Sequence, residues 1–382
     1  MLRTLTMAAA TAALLLPGGP LPVAEAGPAA PAGPAPWSAR EAAAFWTPER
    51  MASAVLLPGD PAPDPAAPVP APDPTPLPAP DPAATPDAQA VSPAAPSAVP
   101  TPAPPSPVLV PTPAVTPTAA PTPTPAGTPA RAPVPAHLPF AGPGVGQDFD
   151  GVPVVGRMFV MKGAGAYFCT ASVVSSPGRN LVLSAGHCLL GSDARQVAFV
   201  PRYTRAKPQP YGLFPVLRNA AGRAKVWIDP RYVSQGPDRA ATLDVAFAQV
   251  GPNAAGHPVE AVVGGNRLVT GGPYAHPKVT LIGYPSSAAR PRLCVNRTTK
   301  FTSADPKIPG SFLRIDCTGY PGGTSGGPFL TRYDARTGTG DVVGVIGGWK
   351  TGGDKVDTSY SSYFGADIRK LYAKAVAGAK AG

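Results

Sequence analysis

Beyond residue 140 the hydrophobic positions come in short runs that are separated by glycine, proline and asparagine. Short runs with turn residues between them indicate β-strands, and no long helical segments alternate with them as a parallel α/β sheet would require. One helix is predicted near the end of the chain, over 367–376. The pattern predicts an all-β sandwich or barrel with strands at 154–161, 170–174, 181–184, 196–200, 225–228, 245–250, 279–282, 313–316, 328–330 and 342–346.

A second stretch with regular hydrophobic spacing, residues 37–57, stands apart from this body. Ser38 begins a capping box for a helix over 39–45, and Pro48 suits the first turn of a second helix. The three Trp and Phe residues of so short a piece need a surface to pack against. We expect 27–57 to be a short propeptide that docks on the body, and a leftover linker is the alternative.

Residues 58–139 separate the two stretches and are rich in proline, alanine and threonine. The 382-residue chain has 57 prolines, and 29 of them fall between 58 and 136, where no Phe, Tyr or Trp occurs. Proline breaks helix interiors, and a segment without large apolar side chains buries too little surface to fold. The composition therefore excludes one globular domain of full length, and it predicts a disordered linker at 58–139 followed by a single domain at 140–382.

The first 26 residues have the three parts of a secretory signal peptide. Arg3 lies near the start, an apolar run covers 7–16, and small residues at 24 and 26 precede the expected cleavage point. About ten apolar residues are too few to cross a bilayer, which needs roughly 20. We therefore expect a secreted, extracellular protein that has no membrane span.

All four cysteines lie in the body: Cys169, Cys188, Cys294 and Cys317. The absence of any Cys-x-x-Cys pair argues against a structural zinc site, and an even number in an exported protein indicates two disulfides. Local pairing, first with second and third with fourth, is one of three possible connectivities. No metal or organic cofactor is expected.

The formal net charge is +10, and the residues after 136 carry 28 Lys and Arg against 14 Asp and Glu. These basic residues are scattered through loops, without a dense cluster and without interleaved aromatic residues. The charge pattern therefore gives no support for nucleic-acid binding. Nothing in the pattern demands an oligomer, and we expect a monomer.

The strongest chemical signal is Gly-Gly-Thr-Ser-Gly-Gly-Pro at 322–328, which places Ser325 between glycines. Such glycines leave a hydroxyl open to substrate and leave adjacent N–H groups available to stabilise an oxyanion. A serine hydroxyl also needs a base, and the base needs a carboxylate to orient it. A simple glycine-rich turn is the alternative.

Chain order distinguishes the catalytic architectures that use such a serine. The α/β-hydrolase elbow requires a histidine after the serine, but the last histidine here is His276. The subtilisin order lacks an aspartate in a suitable setting and lacks the α/β pattern. The remaining order is histidine, aspartate, serine.

His187 and Asp244 meet that order. His187 follows a predicted strand and adjoins a cysteine, and Asp244 lies in an apolar run where a buried charge needs a partner such as a histidine N–H. Asp229 and Asp238 are competing carboxylates, but both lie beside turn residues, where an aspartate usually caps its own backbone.

Three motifs in this order resemble those of the chymotrypsin/trypsin-like serine peptidases, particularly the secreted actinobacterial branch. They are Ala-Gly-His-Cys at 185–188, Leu-Asp-Val-Ala at 243–246 and Gly-Thr-Ser-Gly-Gly-Pro at 323–328. The resemblance extends over about 154–372. It implies two six-stranded β-barrels with the site in the cleft between them and a C-terminal helix.

The resemblance also implies roles for individual residues. His187 would be the general base, Asp244 would orient its imidazole, and Ser325 would be the nucleophile. The backbone N–H groups of Gly323 and Ser325 would form the oxyanion hole. The expected activity is that of a secreted serine endopeptidase acting on polypeptides and made as a precursor, and the alternative is a catalytically silent binding or surface module of the same fold.

The family comparison bears on the disulfides as well. Cys169 with Cys188 matches the disulfide that the family has beside its histidine. The spacing of Cys294 and Cys317 matches neither of the other bridges that are usual in trypsin, so this pairing is an expectation only.

Departures from the family pattern concern activation and specificity. Thr324 replaces the aspartate that pairs with a new N-terminus in animal enzymes, so that activation switch cannot operate. Gly319 replaces the aspartate that reads Arg or Lys side chains, and the stretch containing Gly348 and Trp349 lacks the histidine of Glu-specific relatives. Gly319, Gly348 and Trp349 are the predicted substrate-binding positions. The glycine-rich walls of the predicted pocket are small and leave room for a bulky apolar side chain of the substrate.

Overall fold

The computed structural model describes residues 37–57, 142–191 and 195–380. The predicted signal peptide at 1–26 and the predicted linker at 58–139 lie outside these residues, as do the first ten residues of the expected propeptide. Among the described residues there are sixteen strands, which are β1 Gln147–Asp148, β2 Val155–Lys162, β3 Gly165–Val174, β4 Leu181–Ser184, β5 Arg195–Pro201, β6 Phe214–Pro215, β7 Val226–Ile228, β8 Ala246–Gln249, β9 Arg267–Leu268, β10 Val279–Gly283, β11 Arg292–Asn296, β12 Thr298–Thr302, β13 Ser311–Asp316, β14 Pro328–Asp334, β15 Thr339–Val345 and β16 Thr358–Ser362.

Helices occupy a smaller part of the described chain. The α-helices are α1 Ala39–Phe45, α2 Pro48–Ser53, α3 Gly186–Leu189, α4 Pro230–Arg239, α5 Val259–Val263 and α6 Ala366–Ala379, and two short 3-10 helices cover Ala241–Leu243 and Trp349–Gly352. None of the described helices combines the length and the apolar composition that crossing a membrane would require.

The first half of the body is a seven-stranded antiparallel sheet in the order β6-β5-β2-β3-β4-β8-β7. Its two ends are joined, because the N–H of Lys225, just before β7, donates to the carbonyl of Leu217, just after β6, at 2.7 Å, and the N–H of Leu217 donates to Gln249 in β8 at 2.8 Å. The apolar run of β4 is fully buried. The short hydrophobic runs of this half therefore line the interior of a closed sheet.

The second half contains a six-stranded sheet, β1-β11-β10-β14-β15-β9, and a three-stranded sheet, β12-β13-β16. β12 follows β11 after a single residue, and the disulfide between Cys294 in β11 and Cys317 after β13 links the two sheets. Helix α6 buries a stripe of side chains at helical spacing: Ile368, Leu371, Ala375 and Ala379. Its end is tied to the first sheet by Gln249, whose amide donates to the Ala379 carbonyl at 3.1 Å.

The predicted fold class, all-β with a C-terminal helix, is confirmed. Each of the ten predicted strands coincides with an observed one, and the helix predicted over 367–376 extends by a turn to Ala366–Ala379. Helix α1 has the predicted bounds and the predicted capping box. The second helix of that stretch begins at Pro48, as predicted, and ends at Ser53.

Candidate active site

Two neighbouring strands of the first sheet bring His187 and Asp244 together. β4 ends at Ser184, which pairs with Ala246 at the start of antiparallel β8. His187 lies on the short helix α3 that follows β4, and Asp244 lies two residues before β8. Because the end of one strand meets the start of its antiparallel neighbour, both side chains lie at the same edge of the sheet.

The carboxylate of Asp244 is fully buried and accepts three hydrogen bonds. Oδ1 accepts from the backbone N–H of His187, and Oδ2 accepts from the His187 imidazole Nδ1 and from the N–H of Gly348, each at 2.8 Å. Burial alone would raise the pKa of Asp244, but the charge of His187 and these hydrogen bonds lower the pKa below its ordinary value. Asp244 is therefore an ionised group that fixes the imidazole with Nδ1 protonated.

The close approach of Gly347 and Gly348 to this carboxylate requires glycine. A Cβ on Gly347 would lie 3.0 Å from Asp244 Oδ2, and Gly348 has a φ of +81°. The N–H of Gly348 donates to the Asp244 carboxylate, so Gly348 lies directly against this group. The buried side chain of Tyr232 lies near Asp244. Burial is the main cause that raises the pKa of the Tyr232 hydroxyl, and the charge of Asp244 is the second.

Ser325 is delivered from the second half of the body, three residues before β14. The next residue, Gly326, has a φ of +83°, and a Cβ there would lie 2.2 Å from Ser184 Oγ and 3.0 Å from the Ala185 nitrogen. The serine loop is thus pressed against the segment that leads directly into His187. The backbone N–H of Thr170 in β3 also donates to the Ser325 carbonyl at 2.8 Å, which fastens the loop to the first sheet.

Hydrogen bonds set the orientation of the peptide groups before Ser325. The N–H of Ser286 donates to the Gly322 carbonyl at 3.0 Å. The carbonyl and the N–H of a trans peptide point in opposite directions, so the N–H of Gly323 is directed away from Ser286. The Ser325 N–H donates no hydrogen bond to any residue that the structure describes. This arrangement suits a site that binds a negatively charged oxygen.

Thr170 is a second support of this loop that sequence reasoning did not identify. Its hydroxyl donates to the Gly323 carbonyl at 2.9 Å and accepts from the Tyr284 N–H at 2.8 Å. Gly323 itself has a φ of +90°, and a Cβ there would lie 2.7 Å from the Phe168 ring and 2.9 Å from the Tyr284 carbonyl. A buried threonine directly after Cys169 in an apolar strand was the one available sequence signal.

Arg157 is a buried cation that packs on Phe168, the ring next to Gly323, and it was also not predicted. Its guanidinium lies 3.8 Å from the centre of the Phe168 ring and 4.7 Å from that of Tyr203, and it donates to the Ala288 carbonyl at 3.5 Å. Burial lowers its pKa to about 10, so it remains charged at neutral pH. A charged residue within the apolar run of β2 could have drawn attention to it.

The structure contains two disulfides, so the prediction of disulfide bonds is confirmed. They join Cys169 to Cys188 and Cys294 to Cys317. Among the residues that the structure describes, one group of potential metal ligands lies close together, and it consists of His187 and the first of these cysteine pairs. A disulfide offers no thiolate, so this group does not have the donors of a zinc or iron site.

Two of the predicted substrate-binding positions remain, Gly319 and Trp349. Gly319 accepts a hydrogen bond from Arg292 Nη1 at 2.7 Å and donates one to Asp357 Oδ1 at 2.9 Å, so charges of both signs flank it. Trp349 is half-buried and packs against the rings of Phe301 and Tyr360, with ring centres 5.1 and 4.7 Å away. Trp349, the residue after Gly348, is therefore part of a cluster of three aromatic rings.

Comparison with known proteins agrees with this architecture. Residues 169–345 match the family model described as the trypsin-like peptidase domain. The solved structure of the protease Anisep from Arthrobacter nicotinovorans aligns with a TM-score of 0.51 at 24% identity, covering 61% of this chain and 99% of that one. A thermostable serine protease, AL20, from an extremophilic microorganism aligns with a TM-score of 0.49 at 23% identity, covering 60% of this chain and 98% of that one. The search of curated proteins gave no match. Residues 169–345 therefore resemble trypsin-like peptidase domains, and the body has the chymotrypsin-like fold.

Proposed function

We propose that this protein is a secreted serine endopeptidase that is made as a precursor and hydrolyses peptide bonds with His187, Asp244 and Ser325. The observation that carries the proposal is the buried carboxylate of Asp244, which accepts from His187 Nδ1 at 2.8 Å while the Ser325 loop is held against the same turn. A buried carboxylate that orients an imidazole, together with a serine between glycines whose loop lies against the segment before that imidazole, supplies the three parts of nucleophilic acyl transfer.

In the first half of the reaction, His187 acts as the general base. The Ser325 hydroxyl oxygen attacks the carbonyl carbon of the scissile peptide bond as its proton passes to His187 Nε2. The imidazolium that forms is stabilised by the ionised Asp244. His187 then gives the proton to the leaving amine, the C–N bond breaks, and an acyl ester remains on Ser325.

In the second half, water replaces the amine. His187 takes a proton from the water molecule as the water oxygen attacks the ester carbon. His187 then returns that proton to the Ser325 oxygen when the ester bond breaks. The carbonyl oxygen becomes negatively charged in both halves, and the N–H groups of Gly323 and Ser325 are assigned to stabilise it. The hydrogen bond from Ser286 to the Gly322 carbonyl supports this assignment.

Export and precursor status rest on the sequence of the N-terminal part of the chain. A signal peptide at 1–26 would deliver the protein to an oxidising compartment, which agrees with two disulfides. The Thr324 hydroxyl donates to the Pro321 carbonyl at 2.7 Å within its own loop. The site therefore has no need of a new N-terminus at this position.

The function is tested with peptides that are blocked at both ends and carry a fluorophore and a quencher on either side of a varied sequence. An endopeptidase cleaves such peptides at an internal bond, whereas an exopeptidase cannot act on them. We expect cleavage by the secreted protein, fastest with a bulky apolar residue before the scissile bond, since the wall near Gly348 is aromatic. Folded protein that cleaves none of a diverse set would favour the binding-module alternative.

Replacing Gly323 with alanine is expected to lower kcat by about 10²- to 10³-fold, the usual cost of losing one oxyanion donor. The new methyl group would collide with Phe168 and with the Tyr284 carbonyl, and the residue would be held at a φ of +90°. Both effects would rotate the peptide group that contains the Gly323 N–H away from its present orientation. The measurement is kcat and KM on the best blocked peptide.

Gly271→Ala is the matched control for this variant. Gly271 also has a positive φ, of +79°, but nothing lies within 4 Å of a Cβ there. It carries the same backbone penalty without the collision, and its kcat should match that of the wild type. Equal kcat values for Gly323→Ala and Gly271→Ala would contradict the assignment of Gly323 to the oxyanion hole.

A further inference from the structure

Residues 37–57, here called the N-terminal strap, pack against the first sheet of the body, although residues 58–141 lie between them and the next described residue. Ala42, Trp46 and Met51 have no exposed surface, and Leu57 is 4% exposed. These side chains belong to the same hydrophobic core as β2 to β5. The strap is therefore part of the core of this half and does not rest on its surface.

Trp46 is the central anchor of the strap. Its indole lies against Phe159 of β2, with ring centres 5.2 Å apart, and its Nε1–H donates to the carbonyl of Gln196 in β5. The side chain of Gln209 donates to the Trp46 carbonyl at 3.5 Å. A fully buried indole with its N–H satisfied is a strong and directional contact.

The end of the strap adds backbone hydrogen bonds to β3. The N–H of Val55 donates to the Ala166 carbonyl at 3.0 Å, and the Val55 carbonyl accepts from the Phe168 N–H at 3.1 Å. β4 pairs with β3 only from Ser172 onward, so Val55 covers an edge that would otherwise be unpaired. An extended segment that pairs with an open strand edge is a common mode of peptide binding.

This pairing connects the strap to the candidate active site through two adjacent residues of β3. Phe168, whose N–H bonds to Val55, presents its ring to Gly323 of the serine loop. Cys169 forms the disulfide with Cys188, the neighbour of His187. The strap therefore supports the strand that holds the oxyanion loop and the base.

The contacts of the strap avoid the site itself. Within the described part of the chain, no hydrogen bond, ion pair or ring contact of the strap reaches His187, Asp244 or Ser325. The serine loop has the orientation described above while the strap is bound. A segment that blocked the site, or whose departure was needed to form the loop, would not have these features.

We propose that the strap is a permanent, non-covalently held part of the peptidase domain. The strap stays bound to the first sheet when the proline-rich stretch is cut. The mature enzyme would then consist of two chains, the strap and the body, with the strap bound to the body of its own molecule. The inference concerns retention of the strap, so it can be tested without assuming the proposed activity.

The test uses full-length protein with a recognition sequence for a site-specific protease inserted near residue 100, in a Ser325→Ala background so that self-digestion cannot occur. After complete cutting, the protein is analysed by gel filtration and by native mass spectrometry. We expect the strap fragment to co-elute with the body as a 1:1 complex with the mass of one molecule. Free strap with a folded body, or a 2:2 complex made by exchange between molecules, would overturn the proposal.

A pair of tryptophan variants tests the anchor. Trp46→Ala should release the strap from the cut protein and lower the melting temperature of the uncut protein by roughly 10 °C, as expected for losing a large buried side chain in a domain of this size. Trp37→Ala, at a half-buried position of the same strap, should keep the 1:1 complex. Retention of the strap by cut Trp46→Ala would exclude the anchor and with it the proposed mode of binding.

The consequence for the site is measured on cut protein with an intact Ser325. Removing the strap in mild denaturant and returning the body to buffer should slow labelling by a fluorophosphonate at least tenfold, because β3 loses its pairing at Phe168. Adding a synthetic peptide of residues 37–57 should restore the rate. Unchanged labelling of the stripped body would refute the supporting role of the strap.

Discussion

Replacing Ser325 with alanine is expected to lower kcat for blocked peptides by about 10⁶-fold, the size of loss that follows removal of the nucleophile from such a triad. Without the hydroxyl oxygen no acyl ester can form, whatever the position of His187. The loop should keep its shape, because its attachments are made by the backbone: Thr170 donates to the Ser325 carbonyl and Gly326 donates to Ile346. The melting temperature should therefore stay close to that of the wild type.

Ser234→Ala is the control for this substitution. Ser234 is exposed on helix α4, where its hydroxyl donates to the Arg231 carbonyl at 3.3 Å, so this variant should retain full activity. A Ser325→Ala protein that stays folded and still cleaves at more than a thousandth of the wild-type rate would mean that another group is the nucleophile.

Asp244→Asn should lower kcat by about 10⁴-fold, as expected when the acid of a triad is replaced by an amide of the same shape. The Asp244 oxygens accept hydrogen bonds from the His187 N–H, the His187 Nδ1–H and the Gly348 N–H. An asparagine must turn its NH₂ group toward at least one of them. The imidazole then loses the charge that stabilises its protonated form or adopts the tautomer that cannot take a proton at Nε2. The measurement is kcat for the blocked peptides.

Asp229→Asn provides the matched control, because Asp229 was one of the two competing carboxylates in the sequence. It caps helix α4 and pairs with Arg231, and asparagine is also a good cap. Its activity should stay within a few-fold of the wild type. Equal losses in the two variants would show that Asp244 has no special relation to His187.

The Asp244 carboxylate should also make stability depend on pH. Its pKa is lower in the folded chain than its ordinary value of 3.8, so its ionised form stabilises the folded state above that pH, and this contribution is lost as the pH falls through the folded pKa. Below about pH 4 the free energy of unfolding of the wild type should therefore fall more steeply than that of Asp244→Asn. Urea unfolding at a series of pH values measures both slopes, and parallel slopes would contradict an ionised Asp244.

The sequence predicted the parts of this molecule where local pattern and chemistry agree. His187 follows the apolar run of β4, and Asp244 precedes β8. Both residues lie at strand ends, so the prediction of these two strands also predicted where the two side chains lie. The helix bounds of α1 followed from the capping residue Ser38, whose effect is local. The predicted roles of these site residues remain predictions until the variants are measured.

Features that depend on long-range packing could not be read from the pattern. β12 (Thr298–Thr302) and β16 (Thr358–Ser362) are rich in polar residues, and they form strands because both pair with the more hydrophobic β13. Two-residue strands such as β9 have no periodicity to detect. The contacts of Thr170 with the serine loop, of Arg157 with the Ala288 carbonyl and of Trp46 with β2 join residues that are far apart in the chain, and no local rule identifies such partners.

The role of Ser325 as an activated nucleophile is tested most directly by the intact mass of the folded protein before and after treatment with a fluorophosphonate, with Ser325→Ala alongside. Such a reagent labels a serine only where a neighbouring base and an oxyanion site activate it. We expect one adduct on the wild type, located at Ser325 by peptide mapping, and none on the variant. Folded wild-type protein that takes no adduct, or an adduct that persists in Ser325→Ala, would contradict it.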